Sequence, residues 1–397
     1  MEHIYLDHNA TTPVRTEVLQ AMLPFYGPEF GNPSSIHSLG REARRAVEGS
    51  REKLAAALNC DPAEVVFTGS GTESDNQAIK GAVFANRAKG DHIITTKIEH
   101  HAVLHTFEYL QKYFNIRTTF LGVDRYGLVD PEELKRSING QTILVSVMQA
   151  NNEVGTIQPL AELAGICREN KVLFHSDAVQ AFGKLETDVN ELGVDLLSLS
   201  AHKIYGPKGS GALYVKKGTR LHPLIHGGGH EKNRRAGTEN VAGIAGLGAA
   251  AELAAGERLF QQGHLTALRE RLWQGIEKNI PSVRRNGHPR NSLPGTLNVS
   301  FEYIEGEGIL LSLDMKGIAA SSGSACTSGS LEPSHVLAAM GVPTEIAQGS
   351  LRFSLGRDNT EEQVDYTVKV LAQAVARLRE MSPIAPRTSC GLEGKSS

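Results

Sequence analysis

FTGSGTESDN, residues 67 to 76, joins three signals in ten residues: the end of a β-branched run (EVVFT, 64 to 68), a Gly/Ser turn, and the start of a helix. Similar runs recur at HIITT (92 to 96), TILVSVM (142 to 148), VLFHSDA (172 to 178) and LLSLS (196 to 200), separated by helical patterns. Strands that alternate with helices predict an α/β fold with a mostly parallel sheet. The helix signals include 41 to 58, Leu160 to Asn170, and a long stretch from about Glu239 to Ile280.

After Pro281 the texture changes. Strands TLNVSFE (296 to 302) and LRFSL (351 to 355) sit among helical segments at Glu307 to Met315, Pro333 to Met340 and Thr360 to Met381. The expected organisation is a large domain over 14–256 and a smaller α+β domain over 257–381, to which residues 1–13 return. The tail 382–397, with Pro, Gly and Ser but no periodicity, is expected to be mobile.

The chain has 397 residues, a formal net charge of −3 and no Lys/Arg-rich block, so it offers no basic field to nucleic acid or an anionic membrane. Its N-terminus carries acids where a signal peptide would be basic, and the least polar stretch (241 to 256) is too short to span a bilayer. The four cysteines show no CxxC spacing, which points to reduced thiols and a cytoplasmic setting.

Three places suggest chemistry. At FTGSGTESDN the backbone N–H groups of a helix start could cradle a phosphate, although Ser70 with Glu73 also fits a capping box. In HSDAVQ (175 to 180), Asp177 ends a buried strand, where it could hold a cationic ring nitrogen or simply cap the next turn. In SLSAHKIYGPKGSG (198 to 211), Lys203 follows another strand, as a Schiff-base nucleophile or an ordinary surface lysine. A phosphate cradle, an acid for a ring nitrogen and a Schiff-base lysine together are what a pyridoxal phosphate site requires. HGGGH (226 to 230) has a zinc-like spacing, but three glycines make the necessary helix unfavourable, and no metal site is expected.

With these motifs in hand, the chain resembles the cysteine desulfurases of the NifS and IscS type, in the aminotransferase class V group of pyridoxal phosphate enzymes. The resemblance runs from YLDHNATTP (5 to 13) to the helix ending near Met381. It is carried by GNPSSIHSLGREAR (31 to 44), EHHAV (99 to 103), NNEVGT (151 to 156), RRAGTEN (234 to 240), SSGSACTSGSLEPSHVL (321 to 337) and LRFSLGR (351 to 357). It implies a transferase of fold type I with pyridoxal 5'-phosphate as cofactor. Lys203 would anchor the cofactor, Asp177 would pair with its ring nitrogen, Gln180 would bond the ring hydroxyl and His100 would stack on the ring, with Asn152 alongside. Gly71, Thr72, Ser200 and His202 would meet the phosphate, joined by Thr238 from the second subunit of a homodimer. Arg352 with Asn32 would clamp the substrate carboxylate; a guanidinium fork suits a planar carboxylate.

The implied reaction converts L-cysteine to L-alanine and leaves its sulfur as a persulfide on Cys326. An unperturbed thiol is only a few per cent ionised at neutral pH, and His100 is the expected proton acceptor. The small-residue run around Cys326 reads as a tether that lets the sulfur reach both the substrate and an outside acceptor. The implied acceptor is an iron-sulfur scaffold protein of the NifU/IscU type, with a role in nitrogen fixation left open. A selenocysteine lyase, an aminotransferase on the same fold and a non-catalytic sulfur-relay subunit are the rival readings.

Overall fold

A computed structural model of the chain describes residues 3–322 and 334–383. Its largest sheet has seven strands in the spatial order Val65–Thr68, Gly211–Val215, Leu196–Ser200, Leu173–Asp177, Thr142–Ser146, His92–Thr96 and Arg117–Leu121. Gly211–Val215 runs antiparallel to both neighbours, and the other four neighbouring pairs are parallel. The mostly parallel α/β sheet expected from the alternation is therefore present. Its inner strands read as continuous apolar runs because helices cover both faces, and every residue of Thr142–Ser146 and Leu196–Ser200 is buried.

A second, four-stranded antiparallel sheet orders Ser321–Ser322, Ser350–Ser354, Thr296–Phe301 and Val283–Asn286. The N-terminal strand Ile4–Tyr5 pairs in parallel with Ile318–Ala319, and Asp7 bridges to Ser354. Residues 7–12 thereby run from this second sheet to the turn that follows Leu196–Ser200, where the Thr12 N–H donates to the His202 carbonyl at 2.9 Å.

The 39-residue helix Val241–Asn279 ties the two cores together. Ile244, Leu247 and Ala251 pack into the apolar cluster of the large sheet, whereas Leu265, Leu268, Leu272 and Ile276 pack into the cluster of the small one. Between them Leu259 and Phe260 are exposed. Residue 256, the expected domain boundary, falls inside this single helix.

One local expectation is only half met. Ser70 caps the helix Gly71–Asn86 by accepting the Glu73 N–H at 3.1 Å. The Glu73 carboxylate does not return to the Ser70 N–H as a capping box requires. It accepts from the Gly69 N–H at 2.8 Å and is held there by the Arg235 guanidinium at 2.9 Å. A charged partner from a distant loop outcompetes the local reciprocal bond.

Candidate active site

The site forms where strands of the large sheet end. Leu173–Asp177 carries Asp177 at its C-terminal end; its neighbour Leu196–Ser200 delivers Ser200, and the short turn Ala201–Lys203 brings His202 and Lys203 over the same edge. Ligands in open α/β sheets gather beyond such ends. The helix Gly71–Asn86 starts beside them, so close that a Cβ on Gly71 would lie 2.6 Å from Val179 Cγ2. Only glycine permits that approach, which sets the N-terminal N–H groups of a 16-residue helix against the cavity.

The cavity measures about 360 Å³, within the range of small-molecule sites. Gly71, Thr72, Asp177, Ser200, His202 and Lys203 line its floor, and His100, Asn152, Gln180 and Arg352 its remaining walls. Ten of the expected site residues thus surround one space. Asn32 and Thr238 do not line it. Asn32 is exposed, and its Oδ1 accepts the Ser34 N–H at 2.9 Å in a local turn, so within this chain it is not beside Arg352. Thr238 is likewise exposed, on the loop before the long helix. Cys326, with the tether expected around it, and residues 384–397 of the tail, Cys390 included, lie outside the described residues.

Asp177 caps its turn and also lines the cavity. Its Oδ1 accepts the Val179 N–H at 2.8 Å, capping the turn, while the carboxylate faces the cavity. Burial pushes its pKa up to about 6 against the opposing pull of that N–H and of Lys203. A second carboxyl, Asp75, lines the same floor with its Oδ1 buried 3.6 Å from His175 Nε2; burial, then the Asp177 charge, raises it well above the usual carboxylate range. Lys203 Nζ donates to the backbone oxygens of Asn9 and Ala10, at 2.5 and 2.8 Å.

Arg352 is 2% exposed in its side chain and donates through Nη2 to Asp7 Oδ1 at 2.8 Å and through Nη1 to the Asn152 carbonyl at 3.1 Å. Its Nε is buried with no acceptor. A guanidinium at the cavity wall with an unused buried donor is suited to an incoming carboxylate.

His100 is fixed by the backbone through one ring nitrogen. It is the N-cap of the helix His101–Phe114, and its Nδ1 accepts the Ala102 N–H at 3.1 Å, so the neutral ring carries its hydrogen on Nε2. Burial first, then the Lys203 charge, pushes it down to about 4. A ring so placed donates a hydrogen bond more readily than it takes up a thiol proton.

One residue of the site had no role in the sequence reading. Asn9 donates through Nδ2 to the Asn152 carbonyl and to Thr296 Oγ1, accepts Lys184 on Oδ1, and offers its backbone oxygen to both Lys203 and Gln180. The neighbouring His8 is a satisfied interior histidine: Nδ1 lies 3.0 Å from the Ser354 carbonyl, and burial lowers it to about 4. YLDHNATTP signalled the segment, but nothing local to it signalled partners nearly 290 positions away, as Thr296 is.

The profile of the aminotransferase class-V family matches residues 4–367. The chain belongs to this family. The class-V chain is 56% identical to the cysteine desulfurase IscS of Methanosarcina thermophila over 97% of its own length and 95% of that protein's. It is 55% identical to the cysteine desulfurase IscS of Dictyoglomus turgidum, covering 96% of each. A solved structure described as a NifS-like protein superposes with a TM-score of 0.89 at 42% identity, over 95% of this chain and 100% of that one.

The residues at the class-V site fit pyridoxal phosphate. The Gly71 approach places helix N–H donors for a dianion, Asp177 is a buried carboxylate for a cationic ring nitrogen, and Lys203 supplies an amine on the same floor.

Proposed function

We propose that this chain is a pyridoxal phosphate-dependent cysteine desulfurase that converts L-cysteine and the Cys326 thiol into L-alanine and a Cys326 persulfide. The observation that carries the reading is that Lys203 and Asp177 open onto the same 360 Å³ cavity as Arg352 with its free Nε. Its likeness to the two IscS proteins over nearly the whole chain supports the same activity.

Lys203 anchors the cofactor, Asp177 pairs with its ring nitrogen, Gln180 donates to its ring oxygen, and Gly71, Thr72, Ser200 and His202 hold its phosphate. Thr238 of a second subunit completes the phosphate site in a homodimer. When bound, the cofactor supplies an electron sink at the substrate's α-carbon. Arg352, with Asn152 beside it, holds the substrate carboxylate in the bidentate geometry that a guanidinium favours, while Asp7 and the Asn152 carbonyl fix the fork. Asn32 is not carried into the site on this chain's own geometry. His100 covers the cofactor and presents Nε2–H. The Lys203 amine would take the substrate's α-proton. Cys326 would then take the sulfur: a bond forms between its thiolate and the substrate sulfur, the C–S bond breaks with its electron pair kept by the substrate β-carbon, that carbon takes a proton, Lys203 returns the α-proton, and alanine leaves.

The same reading places the division between a large and a small domain near residue 256, with residues 1–13 in the small one. It places the protein in the cytoplasm, where a scaffold of the NifU/IscU type receives the persulfide for iron-sulfur assembly. No helix among the described residues is long and apolar enough to cross a membrane. The test is direct. Purified protein should show a visible cofactor band that shifts on adding L-cysteine, and protein-bound persulfide should form in the native chain and not in Cys326→Ser. Full persulfide labelling of Cys326→Ser would remove the assigned role of that residue.

A further inference from the structure

Lys184 stands four residues after Gln180, and its Nζ donates to Gln180 Oε1 at 2.9 Å and to Asn9 Oδ1 at 3.2 Å. Among the described residues no carboxylate lies within ion-pair distance of it. It lines a separate cavity of about 30 Å³ and not the 360 Å³ site, so it does not face the space the cofactor would fill. The backbone that aims it back at Gln180 depends on Gly183, at φ +76°, where a Cβ would meet Ile204 Cγ2 at 2.8 Å.

The hydrogen bonds around it admit one arrangement. The Asn9 carbonyl can only accept, so the group that Gln180 turns towards it at 2.8 Å must be Nε2. Gln180 Oε1 is then left facing Lys184. Asn9 Nδ2 is committed to the Asn152 carbonyl, which turns Asn9 Oδ1 towards Lys184 as well. Two amide oxygens therefore converge on one amine. Removing that amine leaves both without a donor and leaves the Gln180 amide held at the Asn9 end alone, free to turn about that one bond and swing its second N–H away from the cavity. With Oε1 taken by Lys184 and one N–H of Nε2 by Asn9, the second N–H is the group Gln180 has left to offer the cavity it lines.

We propose that Lys184 is a positioning residue that locks the Gln180 amide so that it presents a donor, never an acceptor, to the ring oxygen of the bound cofactor. The inference rests on the cofactor assignment above and adds how the donor is fixed. Burial, then the charges of Lys203 and Arg352, lower Lys184 to about 7. A neutral amine still has the two N–H groups that the lock uses, so the lock survives that deprotonation.

The test is a double-mutant cycle on the holoprotein with Lys184→Met, Gln180→Leu and the pair. It is read by pH titration of the cofactor's visible absorbance and by the affinity of the apoprotein for added pyridoxal phosphate. A donor on the ring oxygen favours its ionised form. Its loss in Lys184→Met should move the titration to higher pH by roughly one unit and weaken cofactor binding about tenfold, the scale of one hydrogen bond to a charged group. Gln180→Leu should do the same and the pair no more than Gln180→Leu alone, since one acts through the other. Lys184→Arg, which keeps donors, should restore part of the shift. A Lys184→Met protein that titrates like the wild type, or a pair that shifts by the sum of the two, overturns the inference. A wild-type protein with no visible band removes the inference together with the cofactor reading beneath it.

Discussion

The floor and the roof of the cavity are built by different means. The floor comes from strand ends and the turns that follow them: Asp177, Ser200, His202 and Lys203 each sit within a few residues of a strand in one sheet, and Gly71 opens the helix after another. The roof is assembled across the chain. Arg352 lies on the second sheet, its partners Asp7 and Asn152 are 345 and 200 positions away, and Asn9 joins Asn152 to Thr296, Gln180, Lys184 and Lys203. The floor residues are therefore placed by local backbone, with the N-terminal segment holding the Lys203 amine, and the roof by the docking of that segment between the two sheets. On the proposed reading the floor holds the cofactor's amine link, ring nitrogen and phosphate, and the roof holds the substrate carboxylate.

Substitutions can break that division. Lys203→Ala, on the floor, should abolish covalent cofactor attachment, seen by mass after borohydride reduction, and lower desulfuration by roughly 10³-fold or more, with the fold intact by circular dichroism. Arg352→Lys, on the roof, should leave the visible band in place and lower kcat/KM for cysteine by about 10- to 100-fold, because a point charge does not replace the fork. Loss of the band in Arg352→Lys would mean that roof and floor are not separable.

Glu153 tests the roof by pH. Its carboxyl is buried, accepts the Ser334 hydroxyl and is pushed up to about 7, chiefly by burial. Since the folded pKa lies above the unfolded value near 4.5, the native protein holds an extra proton between those pH values. Its contribution to stability is present in full below about 4.5 and is lost as pH rises through about 7. Glu153→Gln should therefore gain Tm relative to the native chain steadily from pH 4.5 to 7 and hold a constant difference above. A difference that does not change with pH would show that Glu153 does not titrate in this window. The smallest effect belongs to the floor: Ser70→Ala removes the cap on the Gly71 helix and should cost about 1 kcal/mol in chemical denaturation.

What the sequence reveals follows the same line. Asp177 and Lys203 are legible because a buried strand must end somewhere, and a polar residue at that end of a parallel sheet faces a ligand. Gly71 is legible because a glycine between strand and helix marks a close approach. Asn9 is not, since its importance lies in its partners and not in its surroundings along the chain. The Glu73 box is half legible: Ser70 caps as the spacing predicts, but the spacing does not contain Arg235, which draws the carboxylate away. Asn32 beside a proline looks like a ligand in a motif and folds as a turn that satisfies its own neighbour. The hydrogen-bonding sense of His100 depends on one backbone N–H, from Ala102, which only the helix start defines.

The measurement closest to the central claim is the stoichiometry of products when the purified protein is given L-cysteine and a reductant. The account predicts alanine and sulfide in equal amounts over many turnovers. A keto acid formed without sulfide would contradict it and make the cavity that of an aminotransferase.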